Sequence, residues 1–242
     1  MAQWLLEMRD EFIKCFITKD RWRYIVQGLG NTLKIALVAV LLGIAIGSVV
    51  AIIRSTHDKT IDRMRPGVGK VLLQIGDFIC RVYLTVIRGT PVMVQIMIMF
   101  FVIFSNARDG VPVAMLTFGI NSGAYVAEII RGGIMSVDPG QTEAGRSLGF
   151  GYVATMFYIV IPQALKSVLP ALANEFIVLI KETAVACYVA VNDLTKGGEI
   201  IRSQTYSQAM PLFIVAAIYL LLVMFFSWLV GKLERRLRSS DH

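Results

Sequence analysis

Residues 29–54 read LGNTLKIALVAVLLGIAIGSVVAIIR, and one charge, Lys34, interrupts the run before Arg54 closes it. An α-helix needs about 20 apolar residues to cross the hydrocarbon core of a bilayer, so this stretch reads as a transmembrane helix. Composition agrees. Of 242 residues 56% are apolar and only 17% are charged, and mean hydropathy is +0.65; soluble domains hold about 45–50% apolar and about 25% charged residues. Four further apolar stretches follow, at about 71–104, 113–134, 170–191 and 211–233. The second is too long for one straight span. It carries Asp77, Arg81 and Arg88, and it contains Pro91, which removes a backbone donor and bends a helix. The expected fold class is an all-α membrane protein of about five transmembrane helices over residues 27–235. A mixed-charge extension, 1–26, precedes that domain and a basic tail, 236–242, follows it.

The formal net charge is +7. The bases lie between apolar runs and form no clustered patch, which argues against nucleic acid as a partner. By the positive-inside rule, Lys232, Arg235, Arg236 and Arg238 put the C-terminus in the cytoplasm, and five spans then put the N-terminus outside. Arg9, Lys14, Lys19, Arg21 and Arg23 run against that bias. They alternate with Glu7, Asp10, Glu11 and Asp20, the pattern of an amphipathic helix along the outer interface. The first 26 residues have no cationic start followed by an apolar core, so they do not read as a signal peptide. Cys15, Cys80 and Cys187 are odd in number and scattered, and His57 and His242 are the only histidines. Disulfide framework, metal site and histidine-based catalysis are therefore not expected.

Residues 135–165 are too polar for a span and too structured in pattern for a plain linker. Asp138-Pro139-Gly140-Gln141 is turn chemistry, and Thr142 and Glu143 open a short helix with small residues at 144, 145, 147, 149 and 151. The segment is either a surface connection or a short helix that another protein can approach closely. The order Glu143-Ala144-Gly145, Gly149, Ile161-Pro162 resembles the EAA loop of bacterial ABC importer permeases, with Gly145 in place of the second alanine. The flanking segments Arg88-Gly89-Thr90-Pro91, Asn121-Ser122-Gly123-Ala124-Tyr125, Glu128 with Arg131-Gly132-Gly133, Pro162-Gln163-Ala164 and Lys181-Glu182-Thr183 strengthen the likeness. Together they are similar to the polar amino acid permease family of the histidine, glutamine and arginine type, over about residues 27–235.

That resemblance implies the membrane subunit of a type I ABC importer in a bacterial inner membrane. Its partners would be a second permease chain, two ATP-binding subunits and an extracytoplasmic substrate-binding protein. It further implies that Glu143, Ala144, Gly145 and Gly149 belong to a coupling helix seated in a groove of the ATPase. The chain has no G-x-x-x-x-G-K-[ST] and hence no phosphate cradle. It is expected to bind no cofactor of its own and not to be an enzyme; ATP would be hydrolysed by the partner.

Ionisable residues within a bilayer are costly and mark candidate sites. Arg88 precedes the Gly89-Thr90-Pro91 break, and a guanidinium can hold a carboxylate in bidentate fashion. It is either the anchor of a substrate carboxylate or a structural partner of Asp77 or Glu128. Glu175, in the fourth span, wants a cation, which is either a substrate ammonium or a packing partner. Asn121, Tyr125 and Glu128 share one helical face. Asn121, Ser122 and Tyr125 are cavity-wall candidates, whereas Glu128 is expected to pair with Arg131 three residues on. Lys181 and Glu182 suit a structural or gating role. Gly43 and Gly47 form GxxxG, a close-packing signal. The expected activity is ATP-driven import of a polar, basic L-amino acid. Another small polar solute (an opine, a sulfur compound or a small peptide) is the alternative on the same architecture, and a channel or membrane enzyme is a third.

Overall fold

A computed structural model describes residues 2–62, 64–189 and 191–238. Among them every regular element is helical. The helices are α1 (Ala2–Phe12), α2 (Trp22–Thr60), α3 (Val68–Gly89), α4 (Val92–Ile98), α5 (Gly110–Met135), α6 (Pro139–Ser147), α7 (Tyr152–Thr155), α8 (Ile161–Glu182), α9 (Leu194–Thr205) and α10 (Met210–Arg238). Residues 239–242 of the expected basic tail lie outside the described residues. Four helical stretches are long and apolar enough to cross a membrane, and a fifth arises if α3 and the segment Val92–Ile103 count as one broken span. The break falls at Thr90–Pro91, where the proline ring cannot continue the helix.

Two compact units divide the chain. The first comprises Met1–Ala39, Met93–Phe118 and Ile177–Ser227. Its core is Cys15, Phe16, Ile25, Leu194, Ile201 and Val215. The extension expected to lie along the interface is therefore partly held by protein, because Cys15 and Phe16 pack into that core and Arg21 donates to the Lys14 and Thr18 carbonyls and to Gln204. The helix α9 carried no signal in the apolar pattern. Asp193 starts it by accepting hydrogen bonds from the Thr195 amide at 3.1 Å and the Lys196 amide at 2.9 Å.

The second unit comprises Val40–Val92, Gly119–Phe176 and Trp228–His242. Val50, Cys80, Leu84, Ala124 and Ala127 form its core. GxxxG acts here as expected: a methyl group on Gly43 would lie 2.7 Å from Ser122 Oγ, and one on Gly47 would lie 2.6 Å from Val126 Cγ1. Only glycine lets α2 and α5 approach this closely.

The stretch 135–165 is mostly helical. α6 starts at Pro139 behind the cap Asp138, earlier than Thr142. Helix resumes at Tyr152 and runs through Pro162 and Pro170 to Glu182. A wide turn, Met156–Val160, precedes Ile161. It gives the Pro162 ring room against the preceding carbonyls, so the proline enters the helix without ending it.

Candidate functional site

In the second unit, α2, α3 and α5 each carry charges toward one region. α2 supplies Arg54, His57 and Asp58, one helical face by their spacing. Asp77 and Arg81, one turn apart on α3, form an ion pair at 2.6 Å. The Asp77 side chain is only 5% exposed, and Arg54 Nε lies 3.5 Å from its other oxygen. Asp58 accepts from Arg131 Nη2 at 3.0 Å. Four guanidiniums, Arg54, Arg81, Arg88 and Arg131, thus meet three carboxylates, Asp58, Asp77 and Glu128.

An open cavity of about 490 Å³ adjoins this network, lined by Arg54, Arg81, Thr85, Arg88, Gly89 and Glu128 among others. Arg88 Nη1 stands 3.7 Å from Glu128 Oε1. Its guanidinium also lies 5.7 Å from the centre of the Tyr125 ring, within cation–π range. The pairing expected between Glu128 and Arg131 is not the one formed. Close approach of α2 and α5 at Gly43 and Gly47 brings Asp58 across to Arg131, and Glu128 turns to Arg88.

Among the residues expected to meet substrate, Arg88 lines the cavity and Tyr125 packs against Arg88. Asn121, Ser122 and Glu175 are buried. Ser122 Oγ donates to Glu175 Oε1 at 2.8 Å. On α5, Ser122 stands six residues before Glu128, about 9 Å along the helix axis. His57 Nδ1 lies 3.6 Å from Asp58 and 3.8 Å from Asp77, a grouping with metal-ligand types. Arg54, Arg81 and Arg131 already occupy those carboxylates, and three cations beside the group oppose a metal ion there. Arg54 was not singled out for this site by sequence, and Glu128 reads there as a structural partner of Arg131 or of Arg88. The i, i+3, i+4 spacing of Arg54, His57 and Asp58 was the available signal.

At the other candidate region, α6 is nine residues long, about 13 Å. It ends in a Schellman motif: the Phe150 amide donates to the Gly145 carbonyl at 3.1 Å and the Gly149 amide to the Arg146 carbonyl at 3.0 Å. Gly149 has φ +87°, a left-handed conformation that suits glycine. Gly145 is buried, and a methyl group there would lie 2.8 Å from Ile159 Cδ1 and 2.9 Å from Thr155 Cγ2. Its smallness thus serves packing within the chain, while Glu143 and Ala144 are exposed. Leu148, Phe150 and Val153 are exposed beside them.

Helices of membrane length around a charged, open cavity define a transmembrane transport component. The chain belongs to the family of binding-protein-dependent transport system inner membrane components, whose model matches residues 69–239. It is 35% identical over 221 residues to the arginine transport system permease protein ArtQ of Bacillus subtilis, covering 90% of this chain and 94% of that protein. It is 37% identical over 168 residues to the glutamine transport system permease protein GlnP of Escherichia coli, covering 68% and 77%. A solved amino acid ABC transporter described as crystallised with histidines superposes with TM-score 0.79 at 38% identity, over 91% of this chain and 98% of that one. An inward-facing MetNI methionine ABC transporter shares the fold, with TM-score 0.73 at 18% identity over 90% and 98%.

Proposed function

We propose that this permease imports polar, basic L-amino acids, driven by ATP hydrolysis on a separate subunit. The observation that carries the reading is the cavity where Arg54, Arg81 and Arg88 face Glu128. Two of those guanidiniums share Asp77, so the lining keeps a surplus of positive charge suited to an α-carboxylate. Arg88 holds that carboxylate. Tyr125, with Asn121 and Ser122 further along α5, forms the wall, and Glu175, hydrogen-bonded to Ser122, receives a side-chain cation. A basic amino acid has charges at both ends of its chain, and acidic ones would meet repulsion at Glu175. The names of the arginine and glutamine permeases agree with a polar substrate.

The chain works as one of two permease subunits, same or different, above two ATPases, with an extracytoplasmic binding protein delivering substrate. Its N-terminus is outside and its C-terminus cytoplasmic. Glu143, Ala144 and Gly149 meet the ATPase through α6, and the apolar group Leu148, Phe150 and Val153 is covered there. Gly145 fixes the helix from behind. Closure of the ATPases then rocks the membrane helices between outward and inward access. The test is direct binding of labelled L-arginine, L-lysine, L-histidine, L-glutamine and L-glutamate to the permease–ATPase complex in nanodiscs. Arg88→Ala should weaken every ligand that binds, and Glu175→Ala should weaken the basic ones selectively. Unchanged affinity for all five in both variants removes these residues from the site.

A further inference from the structure

The ion pairs at the cavity are not alike. Arg81 meets Asp77 at 2.6 Å, and the Asp77 side chain is 5% exposed. Withdrawing that arginine would leave a buried carboxylate with only the longer contacts to Arg54 and His57, which is unfavourable. Arg88 meets Glu128 at 3.7 Å, and those side chains are 46% and 36% exposed. A long, half-solvated pair of this kind contributes little to stability. It can be taken apart and replaced.

We propose that Glu128 is the specificity residue of the cavity: the Arg88–Glu128 pair opens for an α-amino acid, Arg88 passing to the α-carboxylate and Glu128 to the α-ammonium. The inference rests on the reading of this cavity as the substrate path. One ion pair is exchanged for two, so both protein charges stay compensated while the zwitterion loses its water. A carboxylate alone competes with Glu128 for Arg88 and is repelled by it. An amine alone competes with Arg88 for Glu128 and is repelled by the neighbouring guanidiniums of Arg54 and Arg81. Only a ligand with both charged groups on one carbon satisfies both residues. A dipeptide separates its terminal charges by about one residue length more, roughly 3.5 Å, and would require the pair to open by that much further. Tyr125 serves the exchange from one turn along α5. Its ring lies 5.7 Å from the Arg88 guanidinium and keeps that group in place once Glu128 has turned away. Glu175 is bonded to Ser122 and buried, which leaves Glu128 as the carboxylate that lines the cavity.

The experiment uses the permease–ATPase complex in nanodiscs without binding protein, so that affinity reports this chain. Binding of the best of the five labelled amino acids is competed with its desamino acid, which keeps the carboxylate, and with its amide, which keeps the ammonium. In the wild-type complex both analogues should compete at least about tenfold more weakly than the parent. Glu128→Gln should weaken the amino acid about tenfold and strengthen the desamino acid, so that the two approach each other. Arg88→Gln is run in parallel. If it weakens the amino acid while Glu128→Gln changes neither affinity nor discrimination, this inference is overturned and the cavity reading stands. If Arg88→Gln also changes nothing, the cavity reading itself fails. Should Glu128→Gln not assemble, Glu128→Asp is measured instead: it retracts the charge by one methylene and should weaken binding while keeping the discrimination. Unchanged affinity in Glu128→Asp overturns the proposal.

Discussion

At Gly47 a methyl group would lie 2.6 Å from Val126 Cγ1 and 2.8 Å from the Ala127 amide nitrogen. The side chain can shift, but the backbone cannot, so α2 and α5 would have to separate. Overpacking of this kind costs about 1–3 kcal/mol. Gly47→Ala should therefore lower the melting temperature of the solubilised protein by several degrees. Gly30, with nothing within 4 Å of the added carbon, is the control: Gly30→Ala should stabilise by about 0.5–1 kcal/mol through helix propensity alone. A loss at Gly30 as large as that at Gly47 would show that helix packing is not the cause. The glycine spacing is legible in the sequence because it is local to one helix. The choice between Arg131 and Arg88 as the partner of Glu128, both offered by the sequence, is not. Arg131 lies three residues away and satisfies the helical rule, yet Asp58 of α2 takes it. Which charge meets which depends on the helix approach that the glycines allow, a tertiary fact that spacing along one helix does not contain.

Two short helices are set by their ends. α6 is stopped by Gly149 at φ +87°, where a Cβ adds about 1–2 kcal/mol of strain. Gly149→Ala should raise amide hydrogen exchange at Leu148 to Phe150, while Gly151→Ala, in extended backbone at φ −66°, should not. α9 depends on Asp193. Asp193→Ala removes two amide acceptors and should cost about 1 kcal/mol, seen as faster exchange at Thr195 and Lys196. Asp193→Asn should keep most of the cap. Burial pushes the Asp193 carboxyl above its ordinary value, although amide donors pull the other way. The folded form then holds its proton more tightly than the unfolded chain does. This group's contribution to stability therefore falls as pH rises from the ordinary carboxylate value through the raised one. Asp193→Asn should flatten that slope in a melting series. The existence of α6 was legible from Thr142 and Glu143, but its start was not, because Asp138-Pro139 reads as a turn and caps the helix instead. α9 was missed because it carries Lys196, Glu199 and Arg202 and breaks the apolar pattern, its stability coming from Leu194 and Ile201 in the core.

For the whole chain, the proposed topology makes a direct test. Single cysteines at Arg146 and Lys196, in a variant lacking the three native ones, should be labelled from opposite sides of the membrane by an impermeant maleimide. Labelling of both from one side would refute the five-span arrangement. The gross plan was legible because five apolar runs are properties of composition. The join between the third and fourth spans was less so: a proline usually ends a helix, and the wide turn at Met156–Val160 lets Pro162 continue one instead.

The charges of α3 also bear on how the protein is made. A ribosome delivers α2 first, then α3 with Asp77, Arg81 and Arg88, and α5 only later. Each charge near the centre of an isolated span disfavours transfer from the translocon into lipid by about 2.5–3.5 kcal/mol. Arg54 and His57 are already available to Asp77 when α3 emerges, but Glu128, the partner of Arg88, is still untranslated. Release of α3 into the bilayer should therefore lag until α5 arrives, and nascent chains truncated before Glu128 should remain cross-linkable to the translocation channel through α3 longer than those that include it.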